Sequence, residues 1–452
     1  MTASAKPLAL PTTIRGAVLT PTSPGYAEQV AGFNLAHQPC PIVAIVPESE
    51  ADVAAAVRWA TESGLRVTVQ ATGHGLTGDL ADTVLISTRL LDGVAIDAEQ
   101  QSARVGAGAR WRAVIDAAAP FGLAPLNGSS SSVGVVGYTL GGGLGLMARK
   151  YGFAADHVRS FRIVTADGEI RVVDAQHEPD LYWAVLGGKT GFGIVTEIEF
   201  DLVPVAGYFG GGIFFPGTEA AAVLEAWREW TPQLPTEAST SISLLRLPPD
   251  PQLPPPLQGQ FVVHLRYTDI GDPADADARL APMRSVAPIV MDMVSEMPYP
   301  AIDSVHMDPP MPVPAWSRGL ALSEFSSDAV TALVDTVGAE SGTSLMLAEV
   351  RLLGGAVRQP AANCVPGRDA AFAVHAIGVP APEIAEAVAR DLEAVLASLR
   401  PWKSGGLVNF VGHASAEELR SLWSEADLDR LRSTARRVDP TGTFGAEDVF
   451  GS

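Results

Sequence analysis

The chain of 452 residues predicts an α+β protein with two kinds of sheet. Three observations carry that prediction. Residues 41 to 90 read as strand, helix, strand, loop, strand, the pattern of a β-α-β unit. From Gly207 onward the runs Gln260 to Tyr267, Leu345 to Leu353 and Ala371 to Ile377 alternate apolar with polar side chains, as half-buried antiparallel strands do. The length itself suffices for two domains, each with a packed core.

The elements follow in order. Ser49-Glu50-Ala51-Asp52 resembles a capping box, Val53, Ala56, Val57 and Ala60 form a helical stripe, and Gly64 stops it. Arg66-Val67-Thr68-Val69-Gln70-Ala71 is a strand that ends abruptly in Thr72-Gly73-His74-Gly75-Leu76-Thr77-Gly78. Gly93 to Gly108 reads as a hairpin, Arg110 to Phe121 as a helix, and Arg159 to Val173 as a hairpin turning at Asp167-Gly168. The character changes near Val203-Pro204-Val205. Leu247 to Leu257 holds six prolines and Met297 to Pro314 several more, so both read as irregular surface loops. After Trp402 to Gly406 the pattern gives one short strand and one long helix, Ala416 to Arg437, stopped by Asp439-Pro440.

Composition excludes several classes. The net charge is −20 and the basic residues do not cluster, so a nucleic-acid backbone would be repelled. Two cysteines, Cys40 and Cys364, are too few for a disulfide framework or a paired-cysteine metal site, which fits a reduced cytoplasmic setting. Prolines at 7 and 11 interrupt any signal-peptide core, and no apolar run approaches the roughly 18 residues of a membrane span.

Two glycine-rich turns carry the functional signal. The first presents His74. The second runs from Gly128 to Gly145, with serines at 129 to 132 and glycines at 134, 137, 141, 142, 143 and 145. In order and spacing, Thr72-Gly73-His74-Gly75, then Gly128-Ser129-Ser130-Ser131-Ser132-Val133-Gly134-Val135-Val136-Gly137, then Leu140-Gly141-Gly142-Gly143, resemble the berberine-bridge-enzyme-like group of FAD-linked oxidases in the vanillyl-alcohol oxidase superfamily, whose FAD-binding domain is of the PCMH type. Tyr151-Gly152-Phe153, Asp180 to Gly188, Phe192-Gly193-Ile194-Val195-Thr196, Val408-Asn409-Phe410 and Val438 to Phe444 extend the resemblance.

The resemblance implies an FAD-binding domain of two α/β subdomains over residues 1–205, a substrate domain over 206–404 with a mainly antiparallel sheet covered by helices, and a segment 405–452 that returns to the first domain. It implies cofactor contacts at Ala71, Thr72, Gly73, His74, Gly75, Ser132, Gly134, Val135, Gly137, Gly141, Gly142, Gly143, Ile194, Val195 and Asn409. Glycines let backbone N–H groups approach the diphosphate of FAD, which an acidic chain must otherwise meet with scarce cations. A covalent bond from the His74 imidazole to the flavin 8α carbon is also implied. Many relatives add a cysteine bond to flavin C6, where this chain has Ser130; an alcohol is a far weaker nucleophile than a thiol, so one link is expected and not two.

Rival motifs fail. Gly187-Gly188-Lys189-Thr190 lacks the first glycine of a nucleotide P-loop, since Trp183 stands there. Gly141, Gly143 and Gly145 do not make a dinucleotide fingerprint after a strand. The chain has no Gly-x-Ser-x-Gly elbow and no His-Glu-x-x-His pair.

For the chemistry itself, period-two alternation puts Glu349 and Arg351 on one strand face, and His375 on a second strand. Glu349 or His375 could take a proton from an alcohol or phenol beside the flavin; equally, Glu349 and Arg351 could be a plain ion pair and His375 a satisfied strand histidine. Relatives place a base tyrosine two residues before the position of Asn409, and this chain has Leu407. The expected function is therefore an FAD-dependent oxidase or dehydrogenase that moves hydride from a hydroxylated or phenolic small molecule to covalent flavin, with O2 as acceptor, in secondary metabolism. Ser130 and Leu407 keep open a redox-neutral cyclase or isomerase on the same scaffold.

Overall fold

The computed structural model describes residues 9–75 and 80–451; Leu76, Thr77 and Gly78 of the first glycine turn lie outside them. Strands β1 (Ala17–Leu19), β2 (Val43–Val46), β3 (Arg66–Gln70) and β4 (Thr83–Ser87) form a sheet in the order β1-β2-β4-β3. The β2-β4 and β3-β4 pairs are parallel. Parallel neighbours need a crossover, supplied by the helix Glu50–Glu62, whose Ser49 hydroxyl accepts the Asp52 N–H at 3.2 Å. The helical stripe Val53, Ala56, Val57 and Ala60 is fully buried against Val43, Ile45 and Val84.

Strands β5 (Val94–Asp97), β6 (Ser102–Gly106), β7 (Val158–Val164), β8 (Ile170–Asp174) and β9 (Ile194–Asp201) make a second, antiparallel sheet in the order β5-β6-β9-β7-β8. Both hairpins stand where the sequence puts them. A nine-stranded antiparallel sheet follows, from β10 (Gly207–Pro216), β11 (Ala238–Arg246), β12 (Phe261–Asp269), β13 (Met291–Asp292), β14 (Ser295–Pro298), β15 (Trp316–Leu322), β16 (Leu347–Leu352), β17 (Phe372–Gly378) and β18 (Lys403–Gly405). One face, with Ile242, Leu265, Val350 and Val374, shares a core with the helices Ala220–Trp230, Pro273–Arg284, Ser327–Val337 and Ala385–Ser398. The alternate residues face the other way, and among them are the polar Ser241, Ser243, His264, Arg266, Glu349, Arg351 and His375.

The C-terminal helix Glu425–Val438 buries Leu428, Leu431, Ala435 and Val438 in the same core as Leu181 and Val185 of the helix Pro179–Gly188. Two expectations are corrected here. The long helix from Ala416 is two helices, Ala416–Arg420 and Glu425–Val438, because Ser415 and Ser424 each cap a separate start and the intervening Trp423 turns inward to donate to the Cys364 carbonyl at 2.8 Å. The proline-rich stretch Met297 to Pro314 is not an outlying loop. Its first residues pair with β10, Tyr299, Ile302, Val305 and His306 are buried, and Val313 bridges to Asn34. Apolar side chains among the prolines account for this, since they need a surface to cover.

Both cysteines are free. Among the described residues no helix is long and apolar enough to cross a membrane, and no cluster of three or more metal-ligating side chains occurs.

Candidate active site

The strand β3 delivers its last residue into a turn whose shape only glycine permits. Gly73 has φ +72°, and a Cβ there would strike the backbone of Gly32. The segment 32–34 lies against the turn, with Phe33 N–H donating to the Thr72 carbonyl at 2.8 Å. This fixes the imidazole of His74. Its ring stacks on Phe33 at 3.8 Å between centroids, Nδ1 is 2.9 Å from the Thr72 hydroxyl, and Nε2 is 3.2 Å from the Ser132 hydroxyl. Burial, with the Arg110 charge nearby, lowers the His74 pKa to about 4, against a weaker opposing pull from Asp308. The ring is therefore neutral at working pH, the form with a nucleophilic lone pair.

The second glycine loop meets the first at this histidine. The Ser132 hydroxyl is also 2.8 Å from that of Ser130, so Ser130 stands one hydroxyl away from the ring. Gly134 packs on Ala71 and Thr72, and the Gly134 backbone bridges to Arg110. Asp303 holds the serine run in place: it accepts from Ser131 N–H at 2.8 Å and pairs with Arg112 at 2.7 Å.

A third group of residues adjoins Gly75. Lys189 Nζ donates to Asn409 Oδ1 at 2.9 Å, while Asn409 Nδ2 donates to the Tyr138 carbonyl at 2.8 Å. A Cβ on Gly141 would collide with the Asn409 amide, and one on Gly75 would lie 3.6 Å from the ammonium. Burial lowers the Lys189 pKa to about 8. Among the described residues no carboxylate pairs with it, and its own φ is +69°, a strained value for lysine. A desolvated, unpaired cation beside a glycine turn is costly unless an anion joins it.

On the polar face of the nine-stranded sheet, cross-strand register sets Ser241 between Arg266 and Arg351, and Glu349 between Ser243 and His375. Glu349 is 2% exposed and accepts from Arg266 Nη1 at 2.6 Å, Ser241 Oγ at 2.6 Å and Arg351 Nε at 2.8 Å. Burial alone would raise its pKa, but Arg351, Arg266 and His306 outweigh burial and hold the carboxylate well below the usual range. His375 differs. Burial lowers its pKa to about 4, and Nε2 has no partner. Its ring meets Phe410 edge-on at 5.1 Å, and the Arg351 guanidinium lies 5.1 Å from the same ring.

The structure thus gathers Ala71, Thr72, Gly73, His74, Gly75, Ser132 and Gly134 at one point, and Gly141 with Asn409 at a second beside it. Gly142 and Gly143 take φ of +104° and +78°, where the loop folds back on Tyr138. Gly137 is exposed, with nothing within 4 Å of where its Cβ would be. Val135, Ile194 and Val195 are buried in cores, so they offer backbone and not side chain. The Glu349 oxygens are committed to two guanidiniums and a hydroxyl, the ion-pair alternative of the two readings, and a carboxylate so strongly stabilised is a weak base. Leu407 is buried, leaving no base at that place. Sequence reasoning missed Phe33, Lys189, Arg266 and His306. Of these only Lys189 was legible, as a lysine inside a glycine run.

The donor set suits FAD: a neutral imidazole, an unpaired cation and glycine backbone converge within one region. Residues 41–174 match the FAD binding domain model. The chain is 27% identical to (R)-6-hydroxynicotine oxidase of Paenarthrobacter nicotinovorans over 97% of both chains. It superposes on BBE-like 1 of Physcomitrella patens with a TM-score of 0.83 at 18% identity over 97% of both chains. Glucooligosaccharide oxidase of Acremonium strictum, described with a 6-S-cysteinyl, 8α-N1-histidyl FAD, gives a TM-score of 0.81 at 19% identity over 95% of each.

Proposed function

Because the chain carries the FAD-binding domain and fold of the PCMH-type, vanillyl-alcohol-oxidase-like FAD-linked oxidoreductases, we propose that it oxidises a hydroxylated or phenolic small molecule with FAD bound covalently through His74 alone and O2 as acceptor. The observation that carries this reading is the neutral, half-buried imidazole of His74 at the junction of the two glycine loops. Residues 9–205 and 405–451 hold the cofactor in this proposal, and the polar sheet face of residues 206–404 holds the substrate. Secondary metabolism and a cytoplasmic setting belong to the same proposal.

When bound, FAD supplies a two-electron acceptor. The chain's own residues do the rest. Lys189 and the backbone of the 72–75 turn would hold the diphosphate, Asn409 would hold the flavin ring, and Ser132 hydrogen-bonds the His74 imidazole. His375, neutral and with Nε2 free, accepts the substrate hydroxyl proton as the carbon gives up hydride. Glu349 holds Arg266 and Arg351 in place around it. Similarity to oxidases along the whole chain favours this reading over a redox-neutral cyclase.

Acid precipitation tests the cofactor and its link together. The pellet of the parent protein stays yellow, and that of His74→Ala is colourless while its supernatant carries free FAD. A parent pellet without flavin refutes the covalent link. Anaerobic mixing with hydroxylated compounds then separates oxidation, which bleaches the flavin, from redox-neutral turnover, which does not.

A further inference from the structure

A cavity of about 40 Å³ lies between the loop Leu144 to Arg149 and the polar face of the nine-stranded sheet. That volume admits a group of carboxylate size and not a whole ring. Among the described residues three guanidiniums line it, those of Arg149, Arg266 and Arg351, and no carboxylate does. Such an excess of positive charge is unexpected in a chain whose net charge is −20.

The charges around it do not cancel. Arg149 is buried and donates to the carbonyls of Leu234, Pro235, Ala238 and Leu353, so it meets no opposite charge directly. The nearest acid, Glu237, is bound to Lys150 at 2.7 Å. Arg266 and Arg351 share one carboxylate, that of Glu349 behind the cavity wall. His306, on the same wall, is kept neutral by burial and the Arg266 charge, with its pKa lowered to about 4. Three fixed cations therefore face one anion.

Donors are left over as well. Arg266 spends Nε on His264 and Nη1 on Glu349; Arg351 spends only Nε on Glu349. Among the described residues the remaining Nη groups, Arg266 Nη2 and both of Arg351, make no hydrogen bond, and the Ser239 hydroxyl on the same wall is buried without a partner. An open pair of guanidinium N–H groups is the geometry that takes a carboxylate in two parallel bonds. Arg351 also flanks Phe410 at 5.1 Å on the ring that His375 meets. Phe410 thus touches both an arginine of the cavity wall and the proton acceptor.

We propose that this cavity seats a carboxylate of the substrate, so that the preferred substrates are hydroxylated organic acids held by Arg351 and Arg266 with the reacting hydroxyl toward His375. The inference rests on the oxidoreductase reading for its chemistry, but its test reads binding. Isothermal titration calorimetry of the FAD-loaded protein with 4-hydroxybenzoate and with 4-hydroxybenzamide compares the same ring with and without the charge. The acid binds roughly 10- to 100-fold more tightly than the amide, the worth of one charge-assisted contact. In Arg351→Gln the two bind alike; in Arg351→Lys, which keeps the charge and loses the fork, the preference falls between.

Arg266→Lys provides the same comparison where Arg351→Gln does not fold. Equal binding of acid and amide by the parent overturns the proposal, and so does a preference that survives in both arginine variants. A parent that prefers the acid but bleaches anaerobically with no hydroxylated compound sinks the oxidase reading and supports the cavity. Acid-blind binding together with bleaching by neutral alcohols does the reverse.

Discussion

Replacing Glu349 with glutamine separates an anchor from a base. The glutamine keeps one acceptor oxygen and turns an NH2 group toward a guanidinium. Of three bonds now made to Arg266, Arg351 and Ser241, at least one charge-assisted bond is lost, each such bond being worth about 1.5–3 kcal/mol. The guanidiniums are also left without their counter-charge, and breaking a buried pair in this way costs about 3–5 kcal/mol. Stability therefore falls by about 3–5 kcal/mol, read as a lower urea midpoint by tryptophan fluorescence, with the buried Trp227 of the same domain as reporter.

The loss has a pH signature. The folded pKa of Glu349 is held below 4.5, so its stabilisation is complete above about that pH and fades as pH falls through the folded value. Parent and variant thus differ fully at pH 7, and the gap narrows only as pH falls below the ordinary Glu range toward the depressed folded value. A variant as stable as the parent but slower by about 10²–10⁴-fold would refute the anchor and restore Glu349 as the base.

Three other outcomes follow from the same geometry. Lys189→Met weakens FAD uptake by the His74→Ala apoprotein about 10- to 100-fold, measured by fluorescence quenching. The ammonium of the empty site deprotonates near pH 8, so uptake by the Lys189 protein weakens as pH rises through 8, while the methionine variant shows no such step. Ser130→Cys puts a thiol one hydroxyl from His74; in the His74→Ala background it returns acid-stable yellow colour to the pellet, which serine there does not. With His375 as acceptor, kcat/KM is flat from pH 6 to 8 and falls only as pH drops toward 4, where His375 protonates; His375→Gln abolishes that acid limb.

Local chemistry made much of the fold legible. The crossover helix was readable because Ser49, the apolar stripe and Gly64 agree with one another, and both hairpins because turn residues separate alternating strands. Where reading went astray, tertiary contact decided. Ser421 to Ser424 is no worse a helix former than its neighbours, yet the chain breaks there so that Trp423 can be buried on Cys364. The prolines after Met297 announce irregular backbone correctly. They say nothing of where that backbone lies, and Asp303 and His306 reach the site only because Tyr299 and Ile302 are pulled into the core.

The site divides along the same line. His74 and the serine run could be found because each lies on a glycine-rich turn, and Asn409 because Val408-Asn409-Phe410 extends the resemblance. Period-two alternation likewise put Glu349 and Arg351 on one face, but alternation along a strand is blind to what stands on the next one. Arg266 is 83 residues from Glu349 in sequence and 2.6 Å from it in space. That single cross-strand contact changes the meaning of the carboxylate. One arginine beside one glutamate leaves a pair that could part to expose a base; two arginines leave an acid too well held to accept protons and a surplus of charge that asks for an anion. Read along the chain, Glu349 is either a base or half of an ion pair; the register of β12, β11 and β16 adds a second guanidinium to it.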